Sequence, residues 1–168
     1  MTPKILITGR PGVGKTTLIR RLVEALPRAA GFYTEEIRER GVRKGFNLVS
    51  LSGPEGPVAP LARVDFKGPH RVGKYGVDVE GFEGFLGGLS LRGAEVVVID
   101  EIGKMECISG KFQKLIKDIL ISDRKVVATI AEKGTPFIEG LKRLPGVRLL
   151  EMTEGNRESL LKELMELF

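Results

Sequence analysis

The 168-residue chain is 42% hydrophobic and 29% charged, and its 27 basic and 22 acidic residues leave a formal net charge of +5. This balance fits one globular domain over residues 1–168 with a substantial core; it excludes a membrane-spanning reading, and the interspersed charges leave nucleic-acid binding unsupported. One cysteine precludes an internal disulfide, and with no signal-like segment before the first apolar run the reading is a cytoplasmic protein.

Residues 4–8 form a short apolar run, read as a buried strand. The next stretch, GRPGVGKTT at 9–17, matches G-x-x-x-x-G-K-[ST] through Gly9, Gly14, Lys15 and Thr16. A triphosphate needs converging backbone N–H groups in a loop with no side chains in the way. Gly9, Gly12 and Gly14 allow that approach. Lys15 brings a point charge to the β- and γ-phosphates, and the Thr16 hydroxyl is a candidate Mg²⁺ ligand. Leu18, Ile19, Leu22, Val23 and Leu26 then recur at helical spacing. Strand, loop and helix in this order make an anion site at a helix N-terminus.

A second strand is expected at 29–34, with Glu35 and Glu36 following it as candidates to hold metal-bound water. Residues 36–90 are dense in glycine and proline, with short apolar runs at 46–51 and 58–63; this stretch reads as a small β-rich insertion, including a turn at 53–57. Tyr75 could stack on a base or anchor the insertion, and His70 falls in a loop. A short helix is expected at 80–89 with weak caps. Alternation then returns, with strands at 94–99, 125–130 and 147–152. Helices are expected near 112–120 and 136–144 and at the C-terminal end, the last capped by Thr153 or Asn156. This order implies a parallel sheet with helices on both faces and the ligand at the strand ends.

The strand near 96–99 ends in Asp100 and Glu101. Beside a phosphate loop, Asp100 is placed to hold a magnesium ion with Thr16, and Glu101 to orient or deprotonate a water. Thr129 falls on the strand expected between those of the phosphate loop and Asp100, where it either senses the γ-phosphate or is structural. Asn156 and Arg157 follow the last strand, either beside the base and ribose or as helix-cap and first-turn residues.

The segments GRPGVGKTT, GFYTEE (31–36), RVGKYGVDV (71–79), VVVIDEIGKME (96–106) and EGNRE (154–158) occur in this order. Together they resemble the small nucleoside-triphosphatase family of archaea and bacteria related to the human cancer-related nucleoside triphosphatase. The resemblance covers nearly the whole chain, and DEIGKME is its most specific part. It implies a RecA-like phosphate-loop core and Mg²⁺-dependent hydrolysis of ATP, GTP, CTP and UTP with little base selectivity. It extends nucleotide binding to Arg10, Pro11, Val13 and Thr17 around the loop and to Gly103 in the second motif. Lys104 is there either a cation for the transition state or an ordinary loop lysine. Cys107 stands where an apolar residue is expected and is read as a small buried hydrophobe. Two other functions remain open at this point. A small-molecule or nucleotide kinase would need an acceptor site. A nucleotide-dependent binding module with a guanine switch would need an N/T-K-x-D motif, which the chain lacks.

Overall fold

The computed structural model describes residues 2–51 and 58–168, so the turn expected at 53–57 lies outside the described residues. Nine strands form one mixed sheet. They are β1 (Lys4–Thr8), β2 (Ala29–Glu39), β3 (Val42–Ser50), β4 (Val58–Arg63), β5 (Arg71–Val72), β6 (Tyr75–Val77), β7 (Val96–Ile102), β8 (Lys125–Ile130) and β9 (Arg148–Glu151). The order across the sheet is β5-β6-β4-β3-β2-β7-β8-β1-β9. The five strands from β2 to β9 in that order pair in parallel, and β8 lies between β1 and β7, where the strand carrying Thr129 was expected.

The helices are α1 (Lys15–Glu24), α2 (Val79–Gly88), α3 (Gly110–Ile121), α4 (Pro136–Leu141) and α5 (Arg157–Leu167). Alternating strand residues assign them to two faces. Ile5, Ile7, Val96 and Val98 pack with Leu18 and Leu22 of α1 and Leu160 and Leu164 of α5. Leu6, Val97 and Ile99 face the other way, onto Phe82 of α2, Phe112 of α3 and Ile138 of α4. Phe32 sits among Phe82, Phe85 and Phe112 with ring centroids 5.7–6.3 Å away, which fastens β2 to that face. Side-chain caps start three of these helices: Asp78 accepts from Gly81 N–H, Ser109 from Phe112 N–H and Thr135 from Ile138 N–H. Asp78 therefore gives α2 a better start than its sequence suggested.

Two expectations change. The β-rich stretch forms no sheet of its own: β2 runs five residues past its expected end, to Glu39, and pairs antiparallel with β3. β3, β4, β6 and β5 then extend the parallel strands, so the sheet is mixed rather than parallel throughout. The β7 strand also runs past Ile99, through Asp100 and Glu101 to Ile102, with a break in its register to β8 at the two carboxylates.

The junction of β2 with β7 depends on Gly31. Its φ is +125°, and a Cβ there would lie 1.9 Å from the Val98 carbonyl oxygen. Gly31→Ala should therefore cost about 3 kcal/mol or more of folding stability, because neither backbone can yield without breaking the ladder. Urea unfolding monitored by circular dichroism checks this, and a loss below about 1 kcal/mol would show that the two strands can separate freely.

Candidate active site

The site forms where β1, β2 and β7 end against the start of α1. Gly14, left-handed at φ 107°, turns the chain into α1. Gly9 is held against the neighbouring chain, and a Cβ there would stand 2.7 Å from the Met152 carbonyl oxygen. Lys15 is buried, donates to the Gly9 carbonyl at 2.7 Å and lies 4.0 Å from a Glu101 carboxylate oxygen.

Asp100, only 1% exposed, is the centre of the arrangement. It accepts hydrogen bonds from Thr16 Oγ1 at 2.8 Å and Thr129 Oγ1 at 2.5 Å, with the Thr34 backbone N–H at 3.4 Å. Burial pushes its pKa above the ordinary carboxylate value, against the pull of these donors and of Lys15. Among the described residues it makes no salt bridge. A desolvated carboxylate beside a hydroxyl, with only oxygen donors, suits a hard divalent cation. Glu101 faces the same space but remains partly exposed. Burial and then the charge of Asp100 raise its pKa, while Lys15 opposes the shift. A carboxylate held this way is a better base than a free one.

These groups open on a cleft of about 800 Å³. Gly9, Pro11, Gly12, Gly14, Lys15, Thr16 and Thr17 line one side of it, and Asp100 and Glu101 line the floor. Glu35 and Glu36 also reach it, although Glu36 is engaged by Arg38 and Arg43. Arg10 is exposed and Val13 is buried in the core beneath the loop, so only their backbone can serve a ligand there. Sequence reasoning missed Arg20, Arg43, Phe46 and Lys133, which complete the wall. Arg43 and Phe46 lie on β3, and the underestimated length of β2 hid their approach.

Several candidates lie elsewhere. Asn156 and Arg157 do not line the cleft. Asn156 closes the turn after β9, accepting from Thr153 N–H at 2.7 Å and donating to the Glu151 carbonyl at 2.8 Å. Arg157 donates to the Val13 carbonyl at 2.9 Å and so braces the phosphate loop from behind. Thr129 is fully buried against Asp100. Tyr75 is buried, accepts from Arg43 and packs on Phe46, which is the anchoring role; His70 is exposed. Cys107 is buried, its thiol pushed up to about 12 by burial and then by Glu106 and Glu101, so it is no nucleophile. Lys104 is exposed and lines a smaller neighbouring cavity.

Gly103 has a spatial role. A Cβ on it would stand 2.9 Å from Glu101 Oε1 and 3.2 Å from Glu106 Oε1. The two carboxylates thus converge over a residue without a side chain. Glu106 is 4% exposed, and its Oε2 has no partner among the described residues. Burial, then the charge of Glu101, pushes its pKa well above 4.5. Its place inside DEIGKME was visible in the sequence, but nothing there showed its burial.

A family model described as NTPase matches residues 4–165. The chain is 51% identical over 166 residues to nucleoside-triphosphatase THEP1 of Thermotoga petrophila, covering 96% of this chain and 90% of that one. The crystal structure of THEP1 from Aquifex aeolicus superposes with a TM-score of 0.85 at 40% identity, covering 98% of both chains. The solution structure of a human cancer-related nucleoside triphosphatase gives 0.79 at 37% identity, covering 98% of this chain and 96% of that one.

Two predictions follow from the convergence over Gly103. Gly103→Ala should displace the Glu101 carboxylate, the free end of a flexible side chain. Its melting temperature should stay near wild type while turnover falls at least about tenfold; unchanged turnover would remove the spatial role. For Glu106, a raised folded-state pKa means stability is greatest below 4.5 and declines as pH rises toward the folded value. Glu106→Gln should flatten that decline, melting higher than wild type at pH 8 and close to it at pH 4. Parallel melting curves for the two proteins across that range would contradict a raised pKa for this buried acid.

Proposed function

Because the chain belongs to the NTPase family, we propose that it hydrolyses nucleoside triphosphates to diphosphate and phosphate by in-line attack of water in this cleft. The observation that carries the reading is the placement of Glu101 at the cleft floor, 4.0 Å from Lys15 and next to the buried Asp100. The phosphate loop cradles the triphosphate with backbone N–H groups, and Lys15 leaves the Gly9 carbonyl to meet the β- and γ-phosphates. Thr16 and Asp100 would hold Mg²⁺, since this ion needs only one or two protein oxygens and takes the rest from phosphate and water. Bound there, it would supply positive charge against that of the triphosphate. Glu101 orients the attacking water and takes its proton. Thr129 keeps Asp100 from turning, and Arg157 keeps the loop from lifting. Lys104 stands outside the cleft, and a contribution to the transition state would require it to swing in from its exposed position.

Base selectivity is weak in this reading. The described lining offers Pro11, Gly12, Thr17 and Arg20 beyond the phosphates, and no amide side chain to read a base edge. No described helix is long and apolar enough to cross a membrane. We keep the cytoplasm as the expected compartment, since a chain with one cysteine makes no use of an internal disulfide.

Glu101→Gln tests the role of the base, since the amide keeps the shape and leaves Asp100 in place. With MgATP, MgGTP, MgCTP and MgUTP in turn, single-turnover phosphate release should fall by about 10²–10⁴-fold while affinity by calorimetry stays nearly constant. The wild-type rates with the four nucleotides should agree within about an order of magnitude. Release at the wild-type rate in the variant would take Glu101 out of the mechanism.

A further inference from the structure

Hydrolysis needs room for one water beside Glu101, yet the structure provides far more. A second cavity of about 260 Å³ adjoins the cleft, and Glu101, Thr34, Phe46, Ala131 and Lys133 line both. Its further wall is apolar, made by Leu61 of β4, Val72 of β5 and Met105 after β7. The antiparallel strands that extend the sheet thus build one side of it. For scale, an apolar cavity of about 150 Å³ holds benzene. Two charged residues interrupt the wall: Lys104, which is exposed, and Glu106, 4% exposed, whose Oε2 has no partner among the described residues. That oxygen is sealed from solvent, and the carboxylate that the cavity shares with the cleft is Glu101.

We propose that this cavity is an acceptor subsite for a small apolar alcohol, to which the γ-phosphoryl group is transferred in competition with water. The proposal rests on the placement of the triphosphate and of Glu101 given above. Apolar surface on Phe46, Leu61, Val72 and Met105 takes the hydrocarbon body, and the hydroxyl lies against Glu101, which lines both the cavity and the cleft. Glu101 accepts the hydroxyl proton. The alcohol oxygen forms a bond to the γ-phosphorus. The bond from that phosphorus to the β,γ-bridging oxygen breaks, and its electron pair leaves on the nucleoside diphosphate. The proton taken by Glu101 passes to solvent, and the products are a phosphate monoester and the diphosphate. The apolar wall favours a hydrocarbon body, and the hydrolysis already proposed is the same transfer with water as acceptor.

The test uses the full chain with MgATP and either benzyl alcohol or 1-hexanol, with products followed by ³¹P NMR and the labelled Met105 methyl group by ¹H–¹³C NMR. The expected result is saturable movement of the Met105 methyl resonance and a phosphate monoester formed at the expense of inorganic phosphate. Val72→Trp, which fills the cavity from a short edge strand, should lower the ester-to-phosphate ratio at least about tenfold, the effect of losing roughly 1.4 kcal/mol of alcohol binding. Measuring the ratio separates a filled subsite from a damaged fold. Phosphate release with no ester from either alcohol overturns the acceptor assignment and leaves hydrolysis standing, whether or not the methyl resonance moves. Ester formed at the wild-type ratio in Val72→Trp places the acceptor elsewhere and overturns the site. Loss of phosphate release without alcohol is a separate failure, that of the hydrolysis reading, and ester formed alongside it would still uphold the subsite.

Discussion

The Asp100 carboxylate is the constraint on which the rest of the site depends. It is taken almost wholly out of water, which costs several kcal/mol for a charge unless donors compensate. The donors come from three separate elements: Thr16 at the start of α1, Thr129 on β8 and the Thr34 N–H on β2. To satisfy one buried acid, the phosphate loop and these strands must meet in a single register. The same requirement explains why β8 runs between β1 and β7: Thr129 must stand beside Asp100 while Ala128 pairs with Leu6.

This arrangement leaves Glu101 free for chemistry. Its neighbour absorbs the structural hydrogen bonds, while Glu101 stays partly exposed at the cleft floor with Lys15 opposite. Gly103 supplies the space it occupies, and Glu106 sets the far limit of that space. The antiparallel strands have their own part in the site. By extending the sheet beyond β2 they bring Arg43 and Phe46 to the cleft and Leu61 and Val72 to the cavity behind Glu101.

Features set by local chemistry were legible in the sequence. The phosphate loop and the strand leading into Asp100 and Glu101 follow from short-range patterns. Features set by distant contacts were not. Nothing local signals that β2 continues to Glu39, because its outer half is polar and exposed and is held by pairing with β3. For Asn156 and Arg157 the sequence left a place beside the base and a helix-start role both open; their side chains meet the Glu151 and Val13 carbonyls, contacts that sequence alone cannot place. Glu106 was read only as one letter of a motif, since burial of a carboxylate is a property of the packed structure.

The account stands on Asp100 serving both as the anchor of the loop and as the carboxylate partner of the metal. The most direct measurement is ATP affinity by calorimetry, with and without Mg²⁺, in wild type and Asp100→Asn. Asparagine keeps the shape, its amide oxygen accepting from one of the two threonines and its NH2 donating to the hydroxyl of the other, but it carries no charge. The account predicts that Mg²⁺ strengthens ATP binding in wild type, and that this gain shrinks to within about threefold of none in the variant while metal-free affinity is nearly unchanged. A variant that keeps the full Mg²⁺-dependent gain would contradict it.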